Sequence, residues 1–225
     1  LFGSKRRGAS SDETASPMTD IPRKSSAATL FVTYVCLEIV FVAATVTGPT
    51  WREAFRLSKM QLGLCLGAAQ VGVLAASLFV GHATDRHGPL RVLSSALVVI
   101  LLALALIAGA NSFTVLFVGL AAAGVCAAAT HNASATLLSG IFPGNVRRVM
   151  ALASALWFGS SVLSAPLIGG WLDYAAEAGW KGWAFRLPFV LMPVPLSLCL
   201  LLIRLRFRWV WTDGGRAEEP EKRAD

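Results

Sequence analysis

Long apolar runs separated by short polar segments dominate this sequence. Six runs are long enough to be membrane-spanning helices, because about 20 helical residues cross about 30 Å of hydrocarbon. They cover residues 27–48, 61–81, 92–111, 113–139, 149–171 and 184–203. The pattern predicts an all-α integral membrane protein with six transmembrane helices.

The composition agrees with a membrane protein, since 55% of residues are hydrophobic and 15% are charged. A net charge of +7 also suits a nucleic-acid-binding protein, so the distribution of basic residues has to decide. An even number of spans puts both termini on one side of the membrane, and that side has fifteen of the 20 lysines and arginines. The other five are Arg52, Arg56, Lys59, Lys181 and Arg186.

Basic residues are retained on the cytoplasmic face when a membrane protein inserts. The fifteen-to-five split of basic residues therefore predicts cytoplasmic termini in a plasma-membrane protein, which in a bacterium means the inner membrane. This distribution also explains the net positive charge, so no nucleic-acid partner is expected. The polar residues 1–26 predict a disordered cytoplasmic tail before a six-helix domain at 27–205. The basic and charged residues 206–225 predict a second cytoplasmic tail, disordered after Thr212.

Small residues are frequent in the second and fifth runs. Glycine and alanine recur at 63–76 in the second run, and alanine, serine and glycine recur at 151–161 in the fifth. Small side chains let helices approach closely in lipid, where hydrophobic burial gives no advantage to association. The pattern predicts that the second and fifth helices form a close-packed pair.

The segment between the second and third runs is the most specific signal in the chain. It reads Gly81-His82-Ala83-Thr84-Asp85-Arg86-His87-Gly88-Pro89-Leu90-Arg91, a polar turn with an acid, two arginines and two glycines. A tight reversal at the membrane surface favours glycine, and arginine marks the cytoplasmic side. The pattern resembles the G-x-L-A-D-R-x-G-R-K loop of the major facilitator superfamily of secondary transporters. The matching residues are Gly81, Asp85, Arg86, Gly88 and Arg91, whereas Ala83, Thr84, Pro89 and Leu90 depart from it.

A second likeness lies late in the fifth run. Ala165-Pro166-Leu167-Ile168-Gly169-Gly170 is similar to the G-P-x-x-G-G ending of a motif typical of that family's antiporters. Pro166, Gly169 and Gly170 match and imply a helix-packing motif, while Ala165 replaces the first glycine. In the fourth run, the arginine that the family often has four residues before a glycine is Leu120 here. Its role in proton coupling therefore does not carry over.

The resemblance covers residues 27–205, which correspond to one six-helix half of a twelve-helix transporter. It implies two inverted three-helix repeats and a cavity at the interface of two halves. It also implies secondary transport of a small solute, as efflux or uptake that a proton gradient can drive, with the loop around Asp85 acting as a conformational switch. A lone half would need a second six-helix unit, either another copy or a separate C-terminal half. The alternative is a non-transporting membrane scaffold or a truncated, inactive member of the family.

Polar residues within the apolar runs are the candidates for substrate or proton handling. Glu38 is the only acidic residue deep inside a run, where an ionised carboxylate is costly unless it is paired or faces a wet cavity. His131 titrates near neutrality and can relay protons or contact an anion. Gln70 and the neighbouring Asn132 offer amides. The structural alternative for each residue is a hydrogen bond that only bridges helices.

No enzyme signature competes with this interpretation. The sequence lacks G-x-S-x-G, a Walker loop, H-E-x-x-H and cysteines paired at metal-ligand spacing. We therefore expect no catalytic residues, no metal site and no cofactor. The expected partners are a small-molecule solute, the lipid bilayer and a second six-helix unit.

Overall fold

The computed structural model describes residues 23–207, and all regular structure within that range is helical. The helices are α1 (Arg23–Ala54), α2 (Lys59–His87), α3 (Pro89–Ala108), α4 (Phe113–Ile141), a 3-10 turn (Pro143–Asn145), α5 (Val146–Glu177), α6 (Lys181–Ala184), α7 (Leu187–Leu191) and α8 (Pro193–Arg206). Six segments are long and apolar enough to cross a membrane, the sixth being α7 and α8 together at Leu187–Arg206. The predicted all-α fold with six spans is confirmed.

The helices extend beyond the apolar runs at both ends of the domain. Residues 23–26 were expected in the N-terminal tail but form the start of α1, and Arg206 ends α8 instead of opening the C-terminal tail. A helix continues past the apolar region because its backbone hydrogen bonds do not depend on side-chain polarity. The rest of the two predicted tails, 1–22 and 208–225, lies outside the described residues.

The polar segment at 81–91 is not a loop, contrary to its prediction as a turn. Residues 81–87 continue α2 and Pro89 begins α3, so Gly88 alone connects the two helices. Gly88 has φ +81°, a conformation that glycine adopts without steric cost. Proline suits the first position of a helix, where its missing N–H is no loss. A single residue therefore separates the two helices, and Asp85 and Arg86 lie on the last turn of α2.

Helix packing differs from the expected pairing of the second and fifth helices. α2 packs mainly against α4, α4 also packs against α3, and α5 packs mainly against α1. Gly72 lies directly against the backbone of Ala121, and Gly124 against that of Ala69, so a Cβ at either glycine would overlap a main-chain atom. The prediction was wrong because small residues lie on more than one face of α2, and a sequence does not show which face meets a neighbour.

Two apolar surfaces of the domain have no packed neighbour in the described chain. Only 17% of the apolar window of α5 is buried, against 61% for α1. The exposed residues of α5 include Phe158, Val162, Leu163 and Leu167, and those of α2 include Leu74, Leu78 and Phe79. Exposed apolar surface of this extent is suited to lipid or to another helical unit.

The contact between α2 and α4 gives a stability prediction with a matched control on one helix. We expect Gly72→Ala to destabilise the purified protein by about 1–3 kcal/mol, because the added methyl group must push two backbones apart. Gly67→Ala adds the same methyl group on α2 where no atom lies within 4 Å, and we expect no loss of stability. Thermal unfolding in mild detergent measures both variants. Equal melting temperatures for the two would contradict the close α2–α4 contact.

Candidate functional site

Four helices, α1, α2, α4 and α5, surround a cavity of about 760 Å³. This volume is within the range of about 300–1,000 Å³ that is usual for small-molecule sites. The lining residues are Glu38, Phe41, Val42, Thr45 and Val46 from α1; Gln70, Val73 and Ser77 from α2; Ala127, Ala128, His131 and Asn132 from α4; and Trp157, Ser161 and Ala165 from α5. The structure thus brings all four polar candidates, Glu38, Gln70, His131 and Asn132, to one cavity.

Helical periodicity explains why these residues share a wall. Residues three or four apart lie on one face of a helix. The lining positions on α5 are spaced by four, at Trp157, Ser161 and Ala165, and those on α2 by three and four. Each helix therefore contributes one stripe to the cavity, and its other residues face lipid or the remaining helices.

Glu38 joins α1 to α5 at the wall of the cavity. The hydroxyl of Ser161 donates a hydrogen bond to Oε1 of Glu38. Glu38 is the sixteenth of 32 residues in α1, which places it halfway along the helix, and its exposed fraction is only 8%. A carboxyl group so placed needs a polar partner, because an unpaired polar group in an apolar interior is costly.

Three rings from three helices meet next to this carboxyl group. The centroids of Tyr34 and His131 are 5.0 Å apart, those of His131 and Trp157 are 5.7 Å apart, and those of Tyr34 and Trp157 are 6.0 Å apart. All three contacts are edge-to-face, a favoured geometry for aromatic pairs. The Tyr34 hydroxyl also donates to the backbone oxygen of His131 at 3.1 Å. We call these residues the three-ring cluster.

The three-ring cluster lies one helical turn from the carboxyl pair. Tyr34 precedes Glu38 by four residues on α1, and Trp157 precedes Ser161 by four on α5, a step of about 6 Å along each axis. Tyr34 is almost completely buried, whereas His131 is exposed at the cavity. The cavity therefore has a carboxyl layer and an aromatic layer, stacked along α1 and α5.

The two amides line the cavity from the other pair of helices, α2 and α4. Gln70 is exposed there. Nδ2 of Asn132 donates to the backbone oxygen of Ala128 in its own helix at 3.1 Å. This bond orients the Asn132 amide, and its oxygen stays available as an acceptor.

The motif residues lie outside this cavity. Asp85, Arg86 and Arg91 are exposed around the connection of α2 to α3, near Gly81 and Gly88. Pro166 is inside α5, and Gly169 and Gly170 have open space where a Cβ would be.

Two functional candidates were missed by reasoning from the sequence. Tyr34 and Ser161 contact His131 and Glu38 respectively, at sequence separations of 97 and 123 residues. Tyr34 lies four residues before Glu38, so helical spacing could have indicated it as a same-face neighbour. Ser161 had no such signal, because α5 is rich in small polar residues and only the α1–α5 contact selects one of them.

Comparison with known proteins bears on this helical arrangement. A family model described as Major Facilitator Superfamily matches residues 30–225. The chain belongs to the major facilitator superfamily. Comparison with curated proteins gave no match. The superfamily consists of transporters, not of enzymes in general, so this member is an integral membrane protein of a transport family. The resemblance first seen at Asp85 is confirmed.

The carboxyl pair gives a second prediction with a control on the same helix. We expect Ser161→Ala to lower stability by about 1–3 kcal/mol, because the buried Glu38 carboxyl loses its hydrogen-bond donor. The hydroxyl of Ser160 instead donates to the backbone of Trp157 in its own helix, so Ser160→Ala should change stability by no more than about 0.5 kcal/mol. Thermal unfolding of both variants in one detergent makes the comparison. A Ser161→Ala protein as stable as Ser160→Ala would show that the carboxyl group does not depend on this bond.

Proposed function

We propose that this domain moves a small solute through the cavity between α1, α2, α4 and α5, driven by a proton gradient and acting with a second six-helix unit. The observation that carries the proposal is Glu38, a mid-membrane carboxyl group held by Ser161 in the wall of a solute-sized cavity. Intramembrane acids are costly and generally mark ion or substrate pathways. A carboxyl group that gains a proton from one side of the membrane and releases it to the other couples proton flow to the state of the cavity.

The hydrogen bond to Ser161 links protonation to helix packing. An ionised Glu38 accepts only, so it uses the hydroxyl of Ser161 as a donor; a protonated Glu38 has a donor of its own. Protonation therefore changes the link between α1 and α5, the pair on one side of the cavity. Among the described lining residues, His131 on α4 is the other ionisable side chain, and α2 and α5 contribute none. We propose that His131 exchanges protons with the cytoplasmic side, with Gln70 and Asn132 as substrate contacts.

Orientation and switching are part of the same proposal. The fifteen-to-five distribution of basic residues supports cytoplasmic termini in a bacterial inner membrane. With that orientation, Gly81, Asp85, Arg86, Gly88 and Arg91 lie at the cytoplasmic surface. We propose that the charged end of α2 stabilises one access state by contact with the second unit, and that Pro166, Gly169 and Gly170 on α5 pack against that unit.

The coupling role of Glu38 can be tested in everted membrane vesicles that contain the full chain. A panel of labelled cationic, neutral and anionic solutes identifies those whose accumulation collapses when an uncoupler is added. For such a solute, Glu38→Gln should abolish gradient-driven accumulation but retain exchange of internal for external solute, because the amide binds no proton. Glu53→Gln, an exposed position at the end of the same helix, serves as the matched control. Full gradient-driven accumulation by the Glu38→Gln protein would refute proton coupling at this residue.

The second six-helix unit can be tested by mass. The polar groups of the cavity, among them Glu38 and His131, are costly to leave facing lipid, and the exposed faces of α2 and α5 offer surfaces for packing against another unit. We expect the active particle to contain about twelve helices, as a homodimer or as a pair with a separate C-terminal half. Native mass spectrometry of particles extracted with their lipids measures this directly. A transport-competent six-helix monomer would overturn the prediction, and an inactive monomer would favour the scaffold interpretation.

A further inference from the structure

We infer that the solute is an organic cation with an aromatic or other apolar body, bound with its charge near Glu38. This inference rests on the proposed transport through the same cavity.

The charged groups of the cavity favour a cation over an anion. Among its described lining residues, Glu38 is the acid, and none is lysine or arginine. A charge that leaves water for an apolar cavity needs a partner of opposite sign, because electrostatic energy rises steeply as the dielectric constant falls. Ser161 engages Oε1 of Glu38, and the carboxylate has a second oxygen that can face a ligand. An anion would have only His131 as a partner, with the Glu38 carboxylate opposing it in the same cavity.

The aromatic residues provide a second feature suited to a cation. Trp157 and Phe41 both line the cavity, and the face of a tryptophan ring is the best aromatic site for a cation, at distances up to about 6 Å. Trp157 is held by edge-to-face contacts with Tyr34 and His131. These contacts orient the ring before a ligand binds, which lowers the entropic cost of binding.

The remaining lining determines the body of the ligand. It is mostly apolar, with Val42, Val46, Val73, Ala127, Ala128 and Ala165 on all four helices. These residues offer no partner to a highly polar solute such as a sugar, whose hydroxyl groups would be desolvated without replacement. A volume of about 760 Å³ accommodates a body of two or three rings. The amides of Gln70 and Asn132 can accept a hydrogen bond from one polar substituent.

Three compounds of the same shape and different charge test this inference. N-methyl-4-phenylpyridinium is the cation, 4-methylbiphenyl is its neutral isostere, and biphenyl-4-carboxylate is the anion. Equilibrium binding is measured on the full chain, extracted in native-lipid particles together with any second unit, and protein-free lipid particles correct for partitioning. We expect the cation to bind at least about tenfold more tightly than either of the others.

Variants of Glu38 and Trp157 test which residue is responsible for the preference for the cation. Glu38→Gln should weaken binding of the cation by about tenfold and leave that of 4-methylbiphenyl within about twofold, since only the charge interaction is lost. Glu53→Gln, exposed and outside the cavity, should bind all three compounds like the wild type. Trp157→Leu should weaken the cation more than Trp157→Phe, which retains a ring face.

Several outcomes would overturn the inference. One is equal or tighter binding of the neutral compound or the anion by the wild type. Another is a Glu38→Gln protein that loses affinity for all three compounds equally, which would mark Glu38 as structural. If Glu38→Gln does not fold, equal cation affinities of the two Trp157 variants would overturn the aromatic contribution.

The binding assay uses no gradient, so it separates this inference from the proposed transport function. Selective cation binding without any gradient-driven movement would refute the transport mechanism and leave the inference standing. Gradient-driven transport restricted to neutral or anionic solutes would refute the inference of a cationic solute and leave the proposed transport function standing.

Discussion

The close approach of α2 and α4 is the constraint on which the site depends. Gly72 against Ala121 and Gly124 against Ala69 bring two backbones together, a contact that any side chain beyond hydrogen would prevent. α5 packs instead on α1, so the domain contains two helix pairs with a cleft between them. The distribution of small residues had suggested that α2 pairs with α5, whereas in the structure Gln70 on α2 and Trp157 on α5 line one cavity between the two pairs.

Several hydroxyl groups in the helices donate to the backbone of their own helix, and two side chains at the cavity differ from them. The hydroxyls of Thr33, Thr47 and Ser77 donate to backbone oxygens four residues earlier in their own helices, as expected where water is absent. Ser161 differs because it donates to a side chain on another helix, in addition to a 3.4 Å contact with the backbone oxygen of Trp157 in its own helix. Tyr34 differs in the same way, through its bond to the backbone of His131 on α4. These two interhelical bonds lie at successive turns of α1, beside the cavity.

Arginines at both ends of the sixth span donate hydrogen bonds to other parts of the domain. At one end, Arg206 donates to the backbone oxygen of Ser25 and to the hydroxyl of Thr29, at the start of α1. At the other end, Arg186 donates to the backbone oxygen of Ala110 at 3.2 Å, with its guanidinium 5.7 Å and 5.4 Å from the rings of Trp183 and Phe185. Long basic side chains at span ends place their charge at the interface and their stems along apolar surface. Arg206 thereby joins the end of α8 to the start of α1, the helix that contributes Glu38 to the cavity.

The amino-acid sequence by itself determined that the chain forms six membrane-spanning helices, because helix length and side-chain polarity are local properties that the bilayer thickness selects. It also indicated the family, through five matching positions around Asp85. It identified Glu38 and His131 as ionisable residues within apolar runs, where such residues are costly. Only the tertiary structure decided that Gly88 alone connects α2 to α3, that α2 pairs with α4, and that Ser161 and Tyr34 are the partners of those two residues. Helix rotation and helix pairing depend on contacts between residues about 100 positions apart, and the small residues that permit such contacts occur on more faces than are used.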